Sequence, residues 1–258
     1  MNTLERHPMI LIVIGIMGIS LSSIFVKYAQ SPSVVTAAYR LLWTIILMTP
    51  AVICSKKYRR ELLETSPKLV LLCILSGIFL ALHFTLWFES LNHTSVASST
   101  TIVCTEVIWV ALGWRLFLKG RLSGKACGAI AVTLAGSMLI AFSDSSGQGN
   151  HLYGDFLALL AAIAVAVYTL IGRIARATAS TTVYTYLVYG ACAVTLVIMT
   201  LAQGLSLTGY GSSGIVVGFL LAVFSTILGH SIFSWCLKFL SPAFVSASKL
   251  CEPAVAAV

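Results

Sequence analysis

Long apolar runs separated by short polar segments are the feature that most constrains this chain of 258 residues. We predict membrane-spanning helices at 9–28, 34–53, 69–88, 96–114, 126–142, 155–174, 182–201, 214–236 and from 243 onward. Each run is close to the ~20 residues that a helix needs to cross the hydrocarbon core, whereas barrel strands would alternate over ~10 residues. Only 9% of the residues are charged, against about 25% in soluble domains. The sequence therefore predicts an all-α integral membrane protein.

The distribution of Lys and Arg predicts the orientation of the chain. Three loops that would lie outside the cell, 89–95, 143–154 and 202–213, contain no Lys or Arg, and most of the 16 basic residues fall in the opposite segments. Positive charge concentrates in cytoplasmic loops, so we expect a cytoplasmic N-terminus. The net charge of +8 is then a consequence of topology, and no nucleic-acid partner is predicted.

An internal repeat predicts the architecture. Segments 91–114 and 237–258 are similar at a constant offset of 146, which aligns Glu106 with Glu252. A unit of five spans, an odd number, would enter the membrane inverted in its second copy, as in many secondary transporters. We predict a ten-helix bundle of two inverted five-helix repeats. The expected domains are a first repeat at 9–142, a periplasmic linker at 143–154 and a second, incomplete repeat at 155–258, which would lack most of helix nine and all of helix ten.

The stretches "LALHFTLWFESLNHTSVASSTTIV" and "SPAFVSASKLCEPAVAAV" resemble the EamA family of the drug/metabolite transporter superfamily. The resemblance implies ten helices and the export of amino acids, their derivatives, or other small metabolites and drugs across the inner membrane. It also implies a cavity lined by spans three, four, eight and nine. The family often has a proline in span four, where this chain has Val107. We therefore expect a helix break in the second repeat only.

Charged residues within the fourth and ninth spans are the first site candidates. Lys249 and Glu252 are three residues apart, so they would share a helix face and offset each other. Pro253 would free a backbone carbonyl upstream. The pair either lines a polar cavity or locks helices together. Glu106 has no cation on its own helix, and it is either a proton carrier or a protonated carboxyl bonded to a neighbouring backbone.

Histidine, tryptophan and arginine complete the candidate site. His83 and Trp87 lie four residues apart and would form one wall for a zwitterionic or aromatic metabolite; otherwise His83 is a core histidine bonded to a carbonyl. His230 either lines a polar face or forms interhelical hydrogen bonds. Arg40 needs a carboxylate, a carbonyl or water, or it snorkels to the outer surface, and we favour a structural role. The predicted substrate-binding or coupling residues are Arg40, His83, Trp87, Glu106, His230, Lys249 and Glu252.

The motifs exclude several function classes. The sequence has no Walker A motif, no H-E-x-x-H and no G-x-S-x-G, so we predict neither ATP hydrolysis nor enzyme activity. No cofactor or metal is predicted. The favoured function is a secondary exporter working by alternating access, with proton coupling through a glutamate or histidine as one version; the alternative is a passive channel or facilitator for small neutral solutes. The row "GKACG" at 124–128 would serve intramolecular helix packing, which we favour, or a homodimer.

Overall fold

The computed structural model describes residues 8–121, 124–144 and 151–252, and no strand occurs in these residues. The helices are α1 Pro8–Lys27, α2 Ser33–Cys54, α3 Lys56–Leu63, α4 Pro67–His93, α5 Val96–Cys104, α6 Glu106–Phe117, α7 Gly124–Asp144, α8 Leu152–Ala175, α9 Thr181–Ala202, α10 Gly211–Leu220, α11 Ser231–Cys236 and α12 Pro242–Ser248. A π-helical segment, Leu221–His230, joins α10 to α11, and a 3₁₀ turn, Lys249–Cys251, follows α12. The first eight predicted spans coincide with these helices to within five residues, and the ninth, from 243 onward, lies partly outside the described residues.

Seven segments of the described chain are long and apolar enough to cross a membrane. They are Met9–Lys27, Ser33–Cys54, Pro67–His93, Val96–Phe117, Leu152–Ala175, Thr181–Ala202 and Gly211–Cys236. Large apolar side chains on α1, among them Met9, Val13 and Met17, are more than half exposed, as expected for a surface that lipid covers. The prediction of an all-α membrane protein is confirmed.

Serine caps define where five of the helices begin. The hydroxyls of Ser55, Ser66, Ser95, Ser180 and Ser241 each accept a hydrogen bond from the backbone N–H three residues later. Such a cap satisfies a donor that the first turn of a helix leaves unpaired. Ser95 and Ser241 are separated by the repeat offset of 146, so the same residue type starts the fourth helix in both repeats.

The core is built around α4, which packs against α8 and α9. Leu80, Phe84 and Phe88 of α4 are fully buried, and small residues let the neighbouring helices approach closely. A Cβ at Gly77 would lie only 2.6 Å from the carbonyl oxygen of Val188 on α9. This close packing fixes the position of the polar residues that α4 carries.

The expectation that only the second repeat is broken in its fourth span is wrong. In the first repeat α5 ends at Cys104 and α6 begins at Glu106, with Thr105 between them. The Thr105 N–H and hydroxyl both donate to the Ile102 carbonyl, at 3.0 and 2.6 Å. A side-chain hydroxyl that bonds an earlier carbonyl competes with the helical pattern. A threonine therefore accompanies this break, at a position where the sequence has no proline.

The row of small residues on α7 does not pack inside the described bundle. Gly128, Ala131 and Ala135 are exposed, and a Cβ at Gly124 or Gly128 would meet nothing within 4 Å. Another side of α7 provides the packing, since Leu134 belongs to a buried cluster with Cys104, Val107 and Leu250. The described residues therefore show no partner for this row, and both intramolecular packing and a homodimer stay predictions.

Candidate functional site

One buried cavity collects all of the predicted site residues. It is lined by Arg40, His83, Trp87, Glu106, His230, Lys249 and Glu252, together with Ile19, Ser22, Val103 and Val165. The seven predicted residues are each at most 8% exposed. They come from both predicted repeats and are brought together because α2, α4, α6, the π-helical segment and the turn after α12 meet at this point. Their position is therefore shown, whereas their role in binding or coupling stays a prediction.

The cavity is small. About 30 Å³ is accessible to the centre of a water molecule, which is room for about two waters. This volume is smaller than a metabolite of the predicted classes.

A salt bridge crosses the cavity wall between the two repeats. The Lys249 ammonium lies 2.8 Å from a carboxylate oxygen of Glu106, and the two side chains are only 9% and 4% exposed. Glu106 begins α6, where the positive end of the helix dipole stabilises a carboxylate. The expectation that Lys249 pairs with Glu252 is corrected: among the described residues Lys249 forms its ion pair with Glu106. Glu106 has its cation on another helix, as the absence of one on its own helix allowed.

The turn after α12 is held against α5 through its backbone. The Lys249 carbonyl accepts the Glu252 N–H and, at 3.7 Å, the Cys104 thiol. Pro253 lies outside the described residues. The sequence predicted that its missing N–H would free a carbonyl upstream, and the Lys249 carbonyl is four residues before it. These contacts place the Lys249 side chain beside α6 and explain why it pairs with Glu106.

Arg40 is fully buried and oriented on three sides. Its Nε donates to the Thr226 hydroxyl at 2.7 Å and its Nη1 to the Ser22 hydroxyl at 3.3 Å. The guanidinium carbon lies 4.0 Å from the centre of the Phe84 ring, a cation–π contact. The remaining nitrogen, Nη2, is buried without a hydrogen-bond partner. Arg40 is 0% exposed, so the alternative that it snorkels to the surface is wrong.

His83 and Trp87 form an aromatic wall, as their spacing predicted. Their rings stack with centroids 6.0 Å apart and planes 14° apart. His83 Nδ1 lies 3.0 Å from the Ala161 carbonyl; because a carbonyl only accepts, Nδ1 carries the hydrogen. His83 is therefore both bonded to a carbonyl and part of the cavity wall. His230 completes this wall, with its ring edge-on to Phe84 at 5.3 Å.

Two contributions to the site were missed by sequence reasoning. The resemblance implied a cavity lined by spans three, four, eight and nine, but Ile19 and Ser22 of α1 and Val165 of α8 also line it. A signal for α1 was present in the serines at 20, 22 and 23, which interrupt an apolar run. The π-helical segment before His230 has no sequence signal that we recognise, and such segments occur frequently at functional sites.

Polar contacts tie the bundle at the two ends of α8. At its amino end, the Thr94 and Ser98 hydroxyls both donate to one Asp155 carboxylate oxygen, at 2.8 and 2.9 Å. Just beyond its carboxyl end, Arg176 Nε donates to the Ser234 carbonyl at 3.0 Å. Desolvation lowers the pKa of Arg176. These contacts join α8 to different helices at its two ends, so a motion that opens one end need not break the contacts at the other.

Comparison with known proteins identifies the class of molecule to which this cavity belongs. The sequence profile described as "EamA-like transporter family" matches residues 7–142 and 152–258. A solved structure titled "Crystal structure of protein" has a TM-score of 0.74 to this chain at 15% identity, covering 97% of this chain and 86% of the other. No curated protein matches the sequence. At so low an identity the solved structure supports the fold alone.

Proposed function

Since this chain belongs to the EamA-like transporter family, we propose that it is a secondary-active exporter. It would move amino acids, their derivatives, or other small metabolites and drugs across a bacterial cytoplasmic membrane, with its N-terminus in the cytoplasm. The observation that carries this proposal is the convergence of seven buried polar and aromatic residues from both repeats on one cavity. Ionisable residues inside a membrane are costly to insert and mark substrate or ion pathways.

Alternating access is the mechanism that best suits this cavity. The cavity holds about two waters, so loading a metabolite requires helices to separate. The polar contacts of Asp155 and of Arg176 lie at opposite ends of α8 and would open in turn. The midplane residues would then face each side of the membrane alternately, as in transporters built from repeats.

Glu252 is our candidate for proton coupling. Glu106 is held by Lys249 at 2.8 Å, so its charge is compensated in this conformation. Glu252 is 7% exposed, lines the same cavity and is in no ion pair with a described residue. A buried carboxylate without such a partner is the group best placed to gain and lose a proton.

Efflux from reconstituted vesicles tests this function. Vesicles containing the protein are loaded with a mixed pool of amino acids, amines and neutral metabolites, and mass spectrometry follows what leaves, with and without a pH gradient. We expect specific compounds to leave in a saturable manner and faster with the gradient. Efflux no greater than from protein-free vesicles would contradict the proposal. Flux that rises linearly with concentration and shows no competition would instead support the passive facilitator.

A further inference from the structure

Two hydrogen-bond donors in the cavity wall have no partner among the described residues. They are Nη2 of Arg40 and Nε1 of Trp87; each atom is buried, and neither bonds to any other described atom. The two residues are 0% and 5% exposed, and both line the cavity. Buried donors are almost always paired in folded proteins, so two unpaired donors around one cavity indicate a ligand that accepts hydrogen bonds.

The charge on Arg40 narrows the chemistry of that ligand. An arginine stays protonated in proteins, and every contact that orients this one is uncharged: the hydroxyls of Thr226 and Ser22 and the ring of Phe84. Glu106 is occupied by Lys249. Glu252 attracts Arg40 from across the cavity, but no direct ion pair joins the two among the described residues. A buried cation without an anion in direct contact is costly. A ligand that supplies negative charge would compensate it.

Both donors are held in place before any ligand arrives. Thr226, Ser22 and Phe84 fix three sides of the guanidinium and leave the Nη2 edge free. Trp87 stacks on His83, which is itself fixed by the Ala161 carbonyl at 3.0 Å. Donors that are already oriented bind an acceptor with little loss of conformational freedom.

We propose that Arg40 and Trp87 together bind a carboxylate on the transported molecule, with Nη2 and Nε1 donating to its oxygens. The inference rests on the proposed transport function, because it assigns the part of the substrate that this cavity recognises. Carboxylates accept from arginine and from neutral donors at once, and a carboxylate would place a negative charge in direct contact with Arg40. Amines and primary amides of the same size would bind poorly, because neither supplies this charge.

Equilibrium binding tests the proposal separately from transport. The protein in lipid nanodiscs is dialysed, at constant ionic strength, against matched probes: L-phenylalanine and its amide, N-acetyl-L-phenylalanine and its amide, and phenethylamine. We expect each carboxylate to bind at least about tenfold more tightly than its amide, since a hydrogen bond to a charged group is worth about this much or more. Arg40→Gln should remove that preference, and Trp87→Phe should reduce it.

A stability measurement separates binding from a structural role. Arg40→Met removes an unpaired buried charge, so we expect the ligand-free protein to unfold at the same temperature or a higher one, with carboxylate binding lost. Tighter binding of the amides or of phenethylamine, binding of no carboxylate, or an unchanged preference in Arg40→Gln would each overturn the proposal. So would a lower unfolding temperature for Arg40→Met with carboxylate binding retained. Carboxylate binding without efflux from vesicles would count against the transport function alone.

Discussion

The fourth helices of the two repeats begin with the same kind of serine cap, but the glutamates that follow have different partners. Ser95 and Ser241 cap them, both helices are interrupted at the same depth, and a glutamate follows each interruption. Glu106 is bound by a lysine from the other repeat, whereas Glu252 is in no ion pair with a described residue. We infer that one glutamate now joins the repeats and that the other is available to the transport cycle.

The second helices show a similar divergence. Helices α2 and α9 are both 22 residues long, and their first and last residues are 148 positions apart, from 33 to 181 and from 54 to 202. That offset pairs Arg40 with Val188, which is also fully buried. The second helix of the second repeat therefore has no counterpart of Arg40, so the repeated architecture encloses a site that is chemically asymmetric.

The largest expected effect comes from breaking the bridge between the repeats. Lys249→Ala leaves the Glu106 carboxylate buried without its cation, which we expect to destabilise the protein by about 3–5 kcal/mol. The double variant Glu106→Gln with Lys249→Met removes both charges and should recover most of that stability. Unfolding of the purified variants in detergent measures both changes. A Lys249→Ala variant as stable as the wild type would show that the bridge does not hold the repeats together.

Substituting one buried and one exposed glycine by alanine compares the tightness of packing in the core with that on the α7 surface. Gly77→Ala places a Cβ 2.6 Å from the Val188 carbonyl oxygen and 2.7 Å from the Ala191 Cβ, and such overpacking should cost about 1–3 kcal/mol. Gly128→Ala meets nothing within 4 Å and should be neutral, or stabilising by up to about 1 kcal/mol from helix propensity. Thermal unfolding of the two variants side by side provides the measurement. Equal destabilisation would contradict the packing described for α4 and α9.

The smallest expected effect concerns the hydrogen bond that orients His83. His83→Ala loses the bond to the Ala161 carbonyl, worth about 0.5–1.5 kcal/mol, in addition to the lost ring packing. His83→Asn can donate from its amide nitrogen to the same carbonyl, and we expect it to be the more stable of the two variants. If His83→Asn proves no more stable than His83→Ala on unfolding, the hydrogen bond does not stabilise the wall that His83 forms with Trp87.

Much of this architecture could be predicted from the sequence for a simple physical reason. Apolar runs predict the spans, and within such runs a polar residue is so costly that it stands out. This is why Arg40, His83, Glu106 and Glu252 could be selected before their shared cavity was seen. The presence of these residues in one cavity does not test their role in transport.

The features that the sequence did not predict depend on contacts between residues far apart in the chain. The Lys249–Glu106 pair joins residues 143 positions apart and requires helix breaks in both repeats, one of which, at Thr105, has no proline to mark it. The spacing of three residues predicted a pair between Lys249 and Glu252 instead. Such spacing rules consider only residues on the same helix and cannot identify a partner on another one. The contribution of α1 to the cavity was missed, although the serines at 20, 22 and 23 interrupt its apolar run.

The most direct test of the account compares the two aligned glutamates in one efflux assay. Glu252→Gln and Glu106→Gln are reconstituted at equal protein density, and efflux of the compounds that the wild type exports is measured alongside unfolding in detergent. We predict that Glu252→Gln abolishes gradient-driven efflux while unfolding as the wild type does, and that Glu106→Gln lowers stability. Wild-type efflux from Glu252→Gln across a pH gradient would contradict the account, because Glu252 would then have no part in the transport cycle.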